Sequence, residues 1–132
     1  MKKNGFTLIE LLGVVTILGL LGVIIVPTIN NVISKNKQVL YDTQIRNIES
    51  AASHYVSENF LSLDIPNNST VGIHLLYLKN LGFIDKDITD PSTREKFSDD
   101  LVILITNKDN VYSYTVCVDG VSCNTNVDFL DE

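Results

Sequence analysis

The sequence predicts an α+β fold, in which one long N-terminal helix packs on a small antiparallel β-sheet. Three observations carry this reading. An almost unbroken apolar run opens the chain, a one-sided apolar stripe follows it, and short β-branched runs separated by turn residues fill the C-terminal third. The expected organisation is a leader over 1–5, a membrane-spanning helix over 6–27, its amphipathic continuation over 28–63, and an α+β head over 64–132.

From Leu11 to Val26 the only polar side chain is Thr16, and the charged residues before Lys35 are Lys2, Lys3 and Glu10. As a helix, Phe6–Val26 reaches roughly 32 Å, enough for a hydrocarbon core of about 30 Å. Lys2 and Lys3 in front of it place the extreme N-terminus in the cytoplasm and send the rest across. A secretory signal peptide would end in a small-x-small cleavage site, whereas here Val26-Pro27-Thr28-Ile29-Asn30 follows. A plain signal anchor accounts for the length and the lysines. It does not account for Glu10, an ionisable group that costs several kcal/mol within an apolar span unless paired.

The string Gly5-Phe6-Thr7-Leu8-Ile9-Glu10 resembles the processing motif of type IV prepilins and pseudopilins. That resemblance implies a membrane-embedded peptidase that cuts between Gly5 and Phe6 and methylates the new amine on Phe6. Glu10 then becomes the fifth mature residue, where the family carries its glutamate, and Pro27 falls at a helix-kinking proline of many members. The resemblance is specific over residues 1–30. Its physics is consistent: glycine lets an extended backbone fit a cleft closely, and the cut removes the lysines while leaving the anchor. The freed amine is a partner for the Glu10 carboxylate of a neighbouring subunit. Pro27 cannot donate a backbone hydrogen bond, so local loosening of the helix is expected there. Gly13, Gly19 and Gly22 lack a GxxxG spacing and are read as packing tolerance.

Beyond Pro27, Tyr41, Ile45, Ile48, Ala52 and Tyr55 recur at helical spacing, while Lys37, Asp42, Arg46, Glu49 and Glu58 mostly fall elsewhere. One helix from about Phe6 to about Phe60 is expected, its second half packed on its own head. Asp64–Thr70 reads as a loop, and Ile73–Leu81 as a short helix with Gly82 as C-terminal cap. Leu101–Ile105 is a buried strand by composition, and Asn107–Asn110 its turn. Tyr112, Tyr114, Val116 and Val118 alternate with Ser113, Thr115 and Cys117, which turns the first set inward. Asp119-Gly120 starts another turn, and Val121–Phe129 is a candidate third, edge strand.

Composition bounds the function. A net charge of −6 without a basic cluster argues against nucleic acid as a partner. No nucleophile elbow, phosphate loop or HExxH occurs, so an enzyme is not expected. His54 and His74 are isolated residues, read as surface or capping groups. Asp85, Asp87, Asp90, Asp99 and Asp100 lack the EF-hand pattern; calcium is the minor reading and solvated carboxylates the major one. Cys117 and Cys123 form a disulfide if the head is exported and stay free thiols in a reducing compartment.

The resemblance therefore implies a structural subunit of a type IV pilus, competence or type II secretion-like filament. Its implied partners are a prepilin peptidase, its own copies and other pilin-like subunits, a membrane platform, an assembly ATPase and membrane lipid. The implied course is a single-pass membrane protein with an extracytoplasmic head, then a cell-surface filament. The alternative is a single-pass membrane-anchored ligand-binding protein that does not polymerise.

Overall fold

The computed structural model of the protein describes residues 5–118 and 123–131. Its elements are α1 (Leu8–Glu58), β1 (Ser69–His74), α2 (Leu75–Leu81), β2 (Val102–Lys108), β3 (Val111–Val116) and β4 (Asp128–Phe129). The layout is α+β and pilin-like, a long N-terminal helix with a small four-stranded sheet. The chain divides into two units, one ending at Lys37 and the other beginning at Gln38.

In the first unit, α1 carries apolar side chains that its own chain leaves uncovered. The most apolar window of α1 is 0% buried, with exposed Leu12, Leu18, Leu20 and Ile24 among its residues. This is one helix long and apolar enough to cross a membrane. Pro27 lies inside α1, and its missing N–H removes one rung of the hydrogen-bond ladder. Next to it, the Thr28 hydroxyl donates to the Ile24 carbonyl at 3.1 Å, and Thr16 does the same to Leu12 at 2.7 Å. These bonds cover two hydroxyls that would be costly to leave bare in hydrocarbon.

In the second unit the predicted stripe is the packing face. Ile48, Ala51, Ala52, Tyr55 and Val56 are buried, with Tyr41 and Ile45 partly so. They share one core with Val71 and Ile73 of β1, Ile103 and Ile105 of β2, and Val116 of β3. Each fully buried Ile contributes on the order of 1.5–3 kcal/mol by leaving water. The helix stops at Glu58, short of Phe60 and well short of residue 63. There the Asn59 side chain donates to the Tyr55 carbonyl at 2.9 Å, and Ser62 and Leu63 N–H groups fold back onto the Asn59 carbonyl. A side chain that satisfies the last carbonyls competes with further helix.

The sheet departs from expectation in three places. Strand β1 covers residues expected as loop and as helix: Ser69 and Thr70 on one side, Ile73 and His74 on the other. It lies between β2 and β4 in the order β3-β2-β1-β4, so it is a central strand. Val71, Gly72 and Ile73 are all buried, which erases the alternation that marks a half-exposed strand. Second, β2 extends through Asn107 and Lys108. The turn is Asp109-Asn110 alone, both in the left-handed region (φ 52 and 63), as a two-residue hairpin requires. Third, the sheet is mixed. β1–β2 and β2–β3 are antiparallel, whereas β4 is parallel to β1 and spans only Asp128–Phe129. Asp119, Gly120, Val121 and Ser122, where a turn and strand start were expected, lie outside the described residues.

The predicted helix cap is present. Gly82 (φ 82) follows α2, its N–H on the Lys79 carbonyl and the Phe83 N–H on the Leu78 carbonyl, the Schellman arrangement. The loop 84–100 is held to α2 by Lys79. Although 4% exposed, its ammonium donates to Asp99 Oδ1 at 2.7 Å and to the Phe97 carbonyl at 3.3 Å. Phe97 in turn packs on Tyr41 of α1 at 6.1 Å between ring centroids. Buried Asn107 donates from Nδ2 to the Ile65 carbonyl at 3.0 Å, anchoring the segment that leads into β1.

Two stability predictions follow from this core. A Cβ on Gly72 would lie 2.7 Å from the Phe129 ring, so Gly72→Val is expected to displace β4 at a cost of about 1–3 kcal/mol. Faster hydrogen exchange at the Leu130 amide, which bonds the Gly72 carbonyl at 2.9 Å, checks it. Burial, with the Tyr77 hydroxyl and the Asp131 charge adding to it, pushes the Tyr55 phenol from 10.0 up to about 12. The raised value means the fold favours the neutral phenol. Its contribution is whole below pH 10 and is lost as pH rises through about 12. Alkaline unfolding of wild type against Tyr55→Phe, which has no proton to lose, is expected to show a shallower decline in the variant.

Candidate functional site

The candidate site is the segment Gly5–Glu10 at the head of α1. Gly5 is exposed with no neighbour within 4 Å of a would-be Cβ, and Phe6 is 85% exposed. Both stand free of the helix, which begins at Leu8. Lys2 and Lys3, with the rest of 1–4, lie outside the described residues.

Thr7 and Glu10 then build a reciprocal cap. The Thr7 N–H and hydroxyl both donate to Glu10 Oε2 at 2.9 Å, and the Glu10 N–H donates to Thr7 Oγ1 at 3.3 Å. Leu11 N–H closes the first turn on the Thr7 carbonyl at 3.2 Å. This is a capping box, Thr-x-x-Glu, in which each side chain satisfies an amide that the first helical turn leaves without a partner. The carboxylate also sits at the positive end of the helix dipole. Sequence reasoning read Glu10 by charge alone and missed this local role, although the Thr7-x-x-Glu10 spacing announces it.

The box has a chemical consequence for processing. Every atom in it belongs to Thr7 or Glu10, so cleavage before Phe6 would leave it whole. Glu10 uses one carboxylate oxygen for the cap, and Oε1 makes no hydrogen bond among the described residues. The helix start is thus folded and capped next to the Gly5–Phe6 bond, with one carboxylate oxygen that makes no hydrogen bond among the described residues.

Other residues singled out from the sequence lie elsewhere. Pro27 lies in α1, in the first unit, at a different turn from the capping box. Cys117 and Cys123 form a disulfide, with Cα atoms 5.8 Å apart, just beyond β3. His54 is exposed. Four of the five aspartates of the acidic stretch are engaged in separate contacts, and Asp100 is exposed. Asp85 accepts the Asp87 N–H at 2.9 Å, Asp90 the Ser92 N–H at 2.7 Å, and Asp99 the Lys79 ammonium. Asp87 pairs with Lys96, whose hydrogen bond and charge hold the Asp87 carboxyl below its ordinary value and raise the Lys96 ammonium above its own. Among the described residues no three His, Cys, Asp or Glu side chains are grouped to hold a metal ion.

A helix start after glycine, a capped glutamate and an uncovered apolar helix ahead of an α+β head are features of a pilin-like layout. Residues 1–26 match the family model described as the prokaryotic N-terminal methylation motif, the prepilin signal of type IV pilins and pseudopilins. No curated protein and no solved structure matches the chain. The motif points to a structural subunit and implies processing by a prepilin peptidase and assembly with other pilin subunits. With the apolar helix it suggests membrane anchoring followed by a surface filament.

The capping box can be tested directly. Thr7→Val removes the hydroxyl from both sides of the box and is expected to cost about 1 kcal/mol of local helix stability. Hydrogen exchange at the Leu8–Leu11 amides, measured in detergent micelles, should accelerate while exchange in β1 and β2 stays unchanged.

Proposed function

We propose that the protein is a prepilin or pseudopilin subunit, cut after Gly5, methylated on Phe6, and assembled through α1 into an extracytoplasmic filament. The observation that carries the reading is the Gly5–Glu10 constellation within the matched motif, directly ahead of a helix whose apolar window its own chain leaves wholly uncovered. Lipid covers that window before assembly and neighbouring helices cover it afterwards. The lysine leader keeps the N-terminus cytoplasmic and sends the head across the membrane. The disulfide between Cys117 and Cys123 agrees with a head that resides in an oxidising compartment. A membrane platform and a cytoplasmic ATPase supply the work of assembly, and no catalytic role is assigned to the chain.

In this reading Glu10 has two roles that separate chemically. Its Oε2 caps its own helix, and its charge attracts the Phe6 amine of a neighbouring subunit in a medium of low dielectric. Within one chain Phe6 and Glu10 are about 6 Å apart along a helix axis. An axial shift of that size between subunits would bring amine and carboxylate together and fix their register.

Intact mass of the protein from its native envelope is expected to show loss of Met1–Gly5 and gain of one methyl group. A protein that retains Met1, or one cut beyond Pro27, would overturn the reading and leave a simple membrane anchor. Assembly is read by comparing sheared filaments with the membrane pool. Glutamine is itself a capping-box residue at this position, so Glu10→Gln keeps the cap and removes the charge, whereas Glu10→Val removes both. Both variants are expected to insert normally and to lose most incorporation. Normal filament yield from Glu10→Gln alongside failure of Glu10→Val would assign the role to capping instead.

A further inference from the structure

The two outer strands of the sheet are unlike. β4 ends one side with only Asp128 and Phe129, whereas β3 ends the other with its full length, Val111–Val116. β3 reads Val111-Tyr112-Ser113-Tyr114-Thr115-Val116, with no charged residue and no proline, and its register with β2 is unbroken by a bulge. Charges, proline and bulges are the devices that keep sheet edges from pairing with another chain, and this edge has none of them.

The open side of β3 can be assigned residue by residue, because bonded and non-bonded pairs alternate along an antiparallel ladder. Lys108 and Val111 close the two-residue hairpin, and at the far end the Cys117 N–H bonds the Val102 carbonyl at 2.9 Å. Both ends place Val111, Ser113 and Thr115 in the pairs bonded to β2. The backbone N–H and C=O groups of Tyr112, Tyr114 and Val116 therefore point away from the sheet. The Val116 carbonyl takes the Val118 N–H at 3.1 Å, and the outward groups of Tyr112 and Tyr114 have no partner among the described residues.

We infer that β3 is a self-pairing edge, on which the β3 of a second copy lies antiparallel. Identical antiparallel strands pair about a two-fold axis, so each contact occurs twice. The register that avoids the occupied Val116 carbonyl sets Tyr112 against Tyr114 of the second copy and uses the N–H and C=O of both. Ser113 then faces Ser113 of the second copy, and Val111, 68% exposed, faces Thr115. Aromatic, hydroxyl and β-branched pairs of this kind stabilise a ribbon. One added strand buries well under ~1,200 Å², so the pair is weak and reversible. The net charge of −6 opposes it, and the uncharged strand adds nothing to that repulsion. Copies gathered by their uncovered apolar helices meet at high effective concentration, which suits a weak contact. A closed two-fold pair differs from the repeating contact of a filament, so the inference goes beyond the proposed assembly and does not depend on it.

The test uses the full chain in detergent micelles, with wild type, whose cysteines are paired, as the crosslinking control. Ser113→Cys, at an exposed position, is expected to give a covalent dimer on mild oxidation, because it faces its own copy across the axis. Thr115→Cys, also exposed, would stand about 14 Å from its copy and is expected to crosslink about tenfold less. Hydrogen exchange at the Tyr112 and Tyr114 amides should slow as protein concentration rises, while the Ser113 and Thr115 amides, already bonded to β2, stay unchanged. Ser113→Lys sets like charges opposite each other and is expected to raise the dimer Kd by about fivefold in sedimentation. Association through α1 alone would leave Ser113→Lys as tight as wild type and the tyrosine amides insensitive to concentration, which would overturn the inference. So would equal crosslinking of Ser113→Cys and Thr115→Cys. Protection of the two amides in native membranes that is lost in the purified chain at every concentration would assign the edge to another protein and overturn it too.

Discussion

The first half of α1 sets the terms for the rest of the molecule, because its apolar side chains are not buried by its own chain. A helix apolar on every side is stable only where lipid or other helices surround it. The polar features of that half are those such surroundings tolerate. Thr16 and Thr28 bond back to carbonyls, and Glu10 is held at the end by Thr7. The prepilin signal sits on this segment, so the motif and the exposed apolar surface are two aspects of one design.

Glu10 illustrates how a local cap and the proposed contact with a neighbouring subunit can share a residue. A carboxylate at the start of an apolar helix is expensive alone, and the capping box lowers that expense before any partner arrives. The cap draws only on Thr7 and Glu10, so a processed chain would present the same folded helix start to its neighbours. An amine docking against Oε1 would then meet a carboxylate already oriented, with less side-chain freedom left to lose.

The head solves a different problem, which is how a sheet of short strands is held together. β3 leads into the Cys117–Cys123 disulfide, and a second closure is made by β4 on the side of β1 away from β2. That second closure depends on Gly72, where the Phe129 ring occupies the space a side chain would need. The same C-terminal return carries Asp131 to His74. Packing and pairing therefore stand or fall together at this edge.

The sequence by itself determined the features that rest on local pattern. The apolar run, the stripe from Tyr41 to Tyr55, the Gly82 cap and the inward set of β3 follow from periodicity and from residues with fixed conformational habits. The Gly5–Glu10 motif was legible for the same reason, since its residues are neighbours in the chain. Tertiary structure alone decided what depends on distant partners. β1 became a central strand because neighbours on both sides bury Val71, Gly72 and Ile73, which hides the alternation a sequence reader looks for. β4 became parallel because the chain returns to the far edge of the sheet, where no local signal points. The burial of Lys79 required Asp99, and the pairing of His74 required Asp131, 57 residues away. Such contacts are fixed by the folded path of the chain, and the residue types at either end do not encode them.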